Sequence, residues 1–103
     1  MCRSAAPPQL IGASDFGLDS HLAEVSVLIC QACGQQWLRY SYNVEAFTGS
    51  GRWYLGAITP EQVTSLTCEQ AKGILEHLAW YYYGGSYYQG RIGRTSGAIV
   101  LHP

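Results

Sequence analysis

Gln36-Trp37-Leu38-Arg39-Tyr40-Ser41-Tyr42-Asn43-Val44-Glu45-Ala46-Phe47 sets apolar Leu38, Tyr40, Tyr42, Val44 and Ala46 against polar Arg39, Ser41, Asn43 and Glu45. Side chains on a strand point alternately to its two faces. A period of two therefore predicts a strand with one face in the core and one in water. Thr48-Gly49-Ser50-Gly51 reads as a turn, because glycine and serine tolerate the backbone angles of a reversal, and Arg52–Ile58 reads as the returning strand. If those turn residues form the whole loop, Ala46 faces Trp53, Val44 faces Leu55 and Tyr42 faces Ala57. The apolar faces of the two strands then coincide.

Upstream, Val25, Val27, Leu28 and Ile29 form a β-branched apolar run that ends in Cys30, which adds a preceding strand and makes a meander. Downstream, Thr59-Pro60-Glu61 predicts a single helical turn. Thr67-Cys68-Glu69-Gln70 predicts the start of the main helix, with Thr at the N-cap and Gln three positions on to complete a capping box. Ala71, Ile74, Leu75, Leu78, Ala79 and Tyr82 recur at helical spacing, and Gly84-Gly85 supplies a stop. Ser86–Gln89 reads as a short extended piece, Gly90–Gly97 as a glycine-rich loop and Ala98–Leu101 as a last apolar strand. The expected fold is α+β: an antiparallel meander of three to four strands with one main helix packed on one face. Residues 1–23 mix Ala, Pro, Gly, Ser and Asp without a period and read as a flexible N-terminal arm, leaving residues 24–103 as the single domain.

Cys30-Gln31-Ala32-Cys33-Gly34 places two thiols three residues apart at the tip of the first predicted hairpin. Thiolates at this spacing span an edge of a tetrahedral metal site, and the glycine lets backbone amides turn toward the sulfurs. Over these five residues the pattern resembles the knuckle of zinc-ribbon and treble-clef domains, though a second CxxC or HxxC pair is lacking. The resemblance implies zinc. Cys68 is the expected third ligand: the end of the third strand lies at the knuckle end of the sheet, and Cys68 follows it at a helix start, where partial positive charge favours a thiolate. His77, nine residues further along the same predicted helix, lies on the order of 13 Å from Cys68 and cannot share the ion. Cys2, His102, water or a partner's residue would complete the set.

Charged residues make up only 13% of the 103 residues, and aromatic residues reach the same 13%, with eight Tyr and three Trp. Charge is thus about half its usual share, so aromatic and small polar side chains must cover much of the surface, as at protein contact faces and oligomer seams. A net charge of −1 gives no broad footprint for a polyanion, and five of the six basic residues are Arg, the cation favoured at protein interfaces. Residues 1–24 contain no apolar run suited to a signal peptide or membrane anchor, so the expectation is a cytoplasmic protein with reduced thiols.

Trp80-Tyr81-Tyr82-Tyr83 and Tyr87-Tyr88 gather six rings around Gly84-Gly85, and on a helix four consecutive rings cannot all enter one core. The function these features favour is a small protein-binding module of regulator or inhibitor type, stabilised by zinc and not an enzyme. Its expected contact residues are Arg39, Arg52, Tyr54, Tyr83, Tyr87, Tyr88, Arg91 and Arg94, with a homo-oligomer as a further option. One alternative is a zinc-ribbon-like nucleic-acid module, in which Arg39, Arg52, Arg91 and Arg94 hold phosphates and exposed rings stack on bases. Another is a cysteine-based redox protein or sensor built on Cys30, Cys33 or Cys68.

Overall fold

Among the described residues six strands follow one another in chain order across one antiparallel sheet: β1 (Leu10–Leu18), β2 (Glu24–Cys30), β3 (Gln36–Tyr42), β4 (Arg52–Ile58), β5 (Tyr81–Gly84) and β6 (Gly93–Thr95). The structure, a computed structural model, describes residues 10–43 and 51–99, without the side chain of Ala13. Two short helices, α1 (Pro60–Thr64) and α2 (Ala71–His77), lie between β4 and β5. The α+β class, the antiparallel sheet and the single main helix match the expectation, while the sheet is larger than the predicted three to four strands. Among the described residues no helix is long and apolar enough to cross a membrane.

The central strands carry buried residues on both faces of the sheet. Val25, Val27, Leu38, Tyr40, Tyr54 and Tyr81 pack on one face beneath Leu66, Ala71 and Leu75 of the helical segment. Cys30, Trp37, Leu55 and Tyr82 form a second cluster on the opposite face, joined by Leu10, Leu28, Trp53 and Trp80. Trp37 is the cost of reading β3 as one-sided: its indole falls on the face expected to be wet, yet it is only 1% exposed.

The register of β3 on β4 also differs from the sequence expectation. Tyr42 pairs with Arg52, Tyr40 with Tyr54 and Leu38 with Gly56, so Tyr42 is not opposite Ala57. The predicted pairs of Val44 and Ala46 lie outside the described residues. The shift is odd in residue number, so it moves Trp53, Leu55 and Ala57 to the face of Trp37. From Trp53 to Ile58 no polar side chain interrupts β4, so its own periodicity cannot choose a face. The helix chooses: a Cβ on Gly56 would lie 2.6 Å from Leu75 Cδ2, so Gly56 must be the position beneath α2.

The helix starts are where the sequence puts them. Thr59 Oγ1 accepts from the Gln62 amide at 3.2 Å and Gln62 Oε1 accepts from the Thr59 amide at 2.8 Å, closing the capping box of α1. The Thr67 amide donates to Gln70 Oε1 at 3.2 Å, followed by a 3-10 turn over Cys68–Gln70 and then α2. The end differs. Leu78 already has extended angles, with ψ 155°, and Tyr81–Gly84 is strand β5 instead of the last helical turn. Bulky rings suit a pleated surface, and alternation solves the problem four consecutive rings pose for a helix: Tyr81 and Tyr83 face α2, Tyr82 the other side.

Strand β1 arises within the segment assigned from sequence to the arm. Two irregularities in its pairing with β2, between Gly12 and Ser14 and between Asp15 and Gly17, erase the period of two that would have revealed it. The β1–β2 connection is anchored by buried Asp19, whose Oδ1 accepts from the amides of His21 (2.9 Å) and Ala23 (3.0 Å) and whose Oδ2 accepts from the Tyr40 hydroxyl. Strand β6 comes from the glycine-rich loop, and Ser86–Tyr88 forms a 3-10 turn instead of an extended piece. In the predicted last strand, Ala98 and Ile99 are not extended pairs, although Ile99 is buried in the core; the remainder lies outside the described residues.

Candidate functional site

Gly85 adopts φ 111° and ψ 178°, a region open to glycine alone, and so reverses the chain straight after β5. The Tyr87 amide then donates to Gly51 O at 2.7 Å and the Tyr88 amide to Gly85 O at 3.0 Å, which fastens the 3-10 turn against the start of β4. Tyr87 and Tyr88 are thereby folded back over the face that carries Tyr54, Tyr81 and Tyr83.

These rings wall a cavity of about 410 Å³ that Thr95, Ala98 and Ile99 complete. Centroids of Tyr83 and Tyr88 lie 4.5 Å apart; Tyr88 crosses Tyr87 at 84° and Tyr54 at 88°. Near-perpendicular rings are the favoured edge-to-face arrangement. The Tyr54 and Tyr88 hydroxyls share a hydrogen bond of 2.9 Å, and the Tyr81 hydroxyl donates to Gly97 O at 2.8 Å. Burial pushes the Tyr54 hydroxyl well above the ordinary tyrosine value, and the bond to Tyr88 pushes it further; burial does the same at Tyr81.

Of the expected contact residues, Tyr54, Tyr83, Tyr87 and Tyr88 are brought together here. Arg52 is 2% exposed, and its guanidinium lies behind the cavity wall, 3.8 Å from the centroid of the Tyr87 ring and 5.3 Å from that of Tyr42. Arg94 borders the cavity from β6, but its guanidinium lies on the other face of the sheet, over Trp80 at 4.4 Å and Tyr82 at 5.2 Å, and donates to the Tyr82 hydroxyl at 3.2 Å. Arg39 shares that second face, because it alternates with Leu38 and Tyr40 along β3. Arg91 is exposed in the loop before β6. The four arginines thus form no common surface. Tyr81, Thr95 and Ile99 were not among the expected residues, since reading the aromatic run as helix hides which rings share a side.

The cysteines are distributed differently from the expected clip. Cys30 and Cys33 flank the β2–β3 turn, with Gly34 N–H donating to Cys30 O at 2.9 Å. Cys33 is disulfide-bonded, and Cys30 and Cys68 are in no disulfide, so neither is its partner. Cys30 is buried beside Trp37 on one face of the sheet, whereas Cys68 packs against the core under the helices on the other. Three thiolates do not converge, and among the described residues no three of His, Cys, Asp and Glu are placed to hold one metal ion. A zinc ion needs three or four such donors around it, and these residues do not fit it. Cys2 and His102, the candidates for a fourth ligand, lie outside the described residues.

The chain matches no known family model, and no curated protein or solved structure is significantly similar to it.

Proposed function

We propose that this protein is a non-enzymatic protein-binding module, of regulator or inhibitor type, and that its partner docks at the tyrosine-walled cavity. The observation that carries this is the placement of partly exposed Tyr83, Tyr87 and Tyr88 around one opening, with Tyr87 38% exposed. Tyrosine supplies a large rigid contact area with a polar tip, which is why it dominates protein contact surfaces. The test is capture by the immobilised full chain. A protein retained by the wild type should be identified, purified and titrated, and Tyr83→Ala and Tyr87→Ala should each weaken it by roughly tenfold. Unchanged affinity in both variants, with folding verified by circular dichroism, defeats this reading.

A second reading rests on disulfide-bonded Cys33 sharing the β2–β3 turn with Cys30, which is in no disulfide. In thiol–disulfide exchange the Cys30 thiolate would attack Cys33 Sγ, forming a Cys30–Cys33 bond and expelling the former partner as a thiolate that takes up the displaced proton. Peptide mapping after mild alkaline incubation reads this directly: a Cys30–Cys33 linkage supports a redox sensor, and an unaltered linkage removes it.

A further inference from the structure

We infer that the disulfide partner of Cys33 is Cys2, and that their bond is a reducible strap fastening the start of β1 to the β2–β3 turn. The inference goes beyond the docking reading and does not rest on it.

Counting sulfurs carries the first step. Of the four cysteines, Cys30 and Cys68 are in no disulfide and Cys33 is in one. The structure is a single chain, so Cys2 is the cysteine that remains. Cys2 lies outside the described residues, and whether it can reach is decided by where β1 begins. Leu10 pairs with Cys30, so the chain enters the sheet at the end that carries the β2–β3 turn. Paired strands lie about 5 Å apart, and the three steps from Cys30 to Cys33 add at most roughly 10 Å. Cys33 is thus within roughly 15 Å of Leu10, while the eight steps from Cys2 to Leu10 span up to roughly 27 Å. The tether is long enough to bring the two Cα atoms within the roughly 7 Å that a disulfide demands.

Strand β1 is where such a bond has most to hold. Its far end is fixed by the turn that buried Asp19 ties to Tyr40. Along its length it is bonded, among the described residues, to β2 alone, and that ladder is broken between Gly12 and Ser14 and between Asp15 and Gly17. Broken pairing opens at low free-energy cost. Leu10 and Phe16, which pack on opposite faces of the sheet, are only partly buried. A crosslink beside Leu10 secures the end that the Asp19 turn does not.

Cys33 is exposed, and exposed disulfides are the ones that thiol reductants open. A dithiol supplies the two electrons: one of its thiolates attacks the bond, the other closes the reductant's own disulfide, and its two hydrogens end on Cys2 and Cys33. β1 is then held by its interrupted ladder and the Asp19 turn.

The test digests the unreduced full chain with trypsin after thiols are blocked. The short peptide ending at Arg3 should emerge joined to Ser4–Arg39, with fragmentation placing the link at Cys33, and dithiothreitol should separate the two. A link from Cys33 to another cysteine or to a second chain, or blocking of Cys2 before reduction, overturns the pairing. Reduction should also lower the melting temperature by roughly 10 °C, since the bond closes a loop of about 30 residues. Exchange of the Leu10–Gly12 amides should quicken by roughly tenfold while Leu38–Tyr40 stay protected. Cys2→Ser should show both changes without reductant and respond no further to it. Equal exchange in β1 before and after reduction overturns the strap, even where the Cys2 link is found.

Discussion

The hydroxyls of Tyr54 and Tyr88 meet at 2.9 Å with their rings crossed at 88°, which ties the floor of the cavity to its wall. Tyr54 belongs to the core and is 2% exposed, while Tyr88 belongs to the returning turn. The bond holds the turn in the shape a ligand would need before the ligand arrives.

Tyr54→Phe should therefore cost about 1 kcal/mol in urea unfolding, the usual net worth of one hydrogen bond. It should also flatten the alkaline limb of the stability curve. The Tyr54 and Tyr40 hydroxyls are held above their ordinary value, chiefly by burial and then by their bonds to Tyr88 and Asp19. A raised folded pKa gives stability that is whole below the unfolded value of about 10 and declines as pH climbs above it. Melting temperatures between about pH 9 and 12 should fall steeply for the wild type and less steeply for Tyr54→Phe. Parallel curves would show that Tyr54 is not the group responsible.

Gly85 and Gly56 make a graded pair. A Cβ at Gly85 would lie 2.6 Å from Gly51 O and 2.8 Å from Arg52 Cα, both backbone atoms, at a φ of 111°. Gly85→Ala is expected to cost about 3 kcal/mol, the upper end for a residue forced into a glycine-only region. At Gly56 the obstructing atoms are the methyl ends of Leu75 and Leu78, which can rotate away, so Gly56→Ala should cost about 1 kcal/mol. Chemical denaturation reads the difference, and a reversed order would refute the account of the turn.

Glu76 closes the segment that follows β6 onto α2: its Oε2 accepts from the Ile99 amide at 2.8 Å and from Lys72 Nζ at 2.9 Å. Burial alone would raise its carboxyl, but the Lys72 and Ile99 bonds and the nearby charges outweigh this and hold it below the ordinary value. A lowered folded pKa gives stability that is present above the unfolded value of about 4.3 and lost as pH falls through the folded one. Hydrogen exchange of the Ile99 amide, corrected for intrinsic rates, should therefore show less protection at about pH 3 than at pH 6. Glu76→Gln should remove that dependence, and equal protection at both pH values would refute the latch.

Thiol labelling without reductant should modify partly exposed Cys68 first and buried Cys30 only on unfolding, with Cys33 modified only after reduction. Mass spectrometry of the digested protein separates the three. Labelling of Cys33 in unfolded, unreduced protein would exclude its disulfide.

Much of this architecture is legible in the residues, and the failures have identifiable causes. β2, β3 and β4 are announced by their apolar runs and alternation, and Thr59 and Thr67 mark two helix starts by chemistry that acts within four residues. Register on β4 is a tertiary property, because no polar position breaks Trp53 to Ile58 and the decision falls to Gly56 beneath Leu75. Tyr81–Tyr83 satisfy helical spacing to Leu78 and strand alternation equally, so only pairing with β4 settles their state. For the site, Tyr54, Tyr83, Tyr87 and Tyr88 are identifiable as candidate contact residues, whereas the side on which the Arg94 guanidinium lies follows only from the pairing of β6 with β5. The Cys30-to-Cys33 spacing suggests that the two sulfurs act together, and nothing in it signals that Cys33 is disulfide-bonded while Cys30 is not.

Every described strand is bonded to its neighbour in sequence, and the step from β4 to β5 is the longest, carrying α1 and α2. Closure entropy rises with the length of chain looped out, so β2, β3 and β4 can zip early while the arrival of β5 must wait for α1 and α2. The tyrosine walls ride on β5 and the turn after it, which makes them the late-assembling, first-opening part of the molecule. Amides of Tyr81–Tyr83 should consequently exchange faster than those of Leu38–Tyr40, and a ligand in the cavity would act as a clasp on that margin.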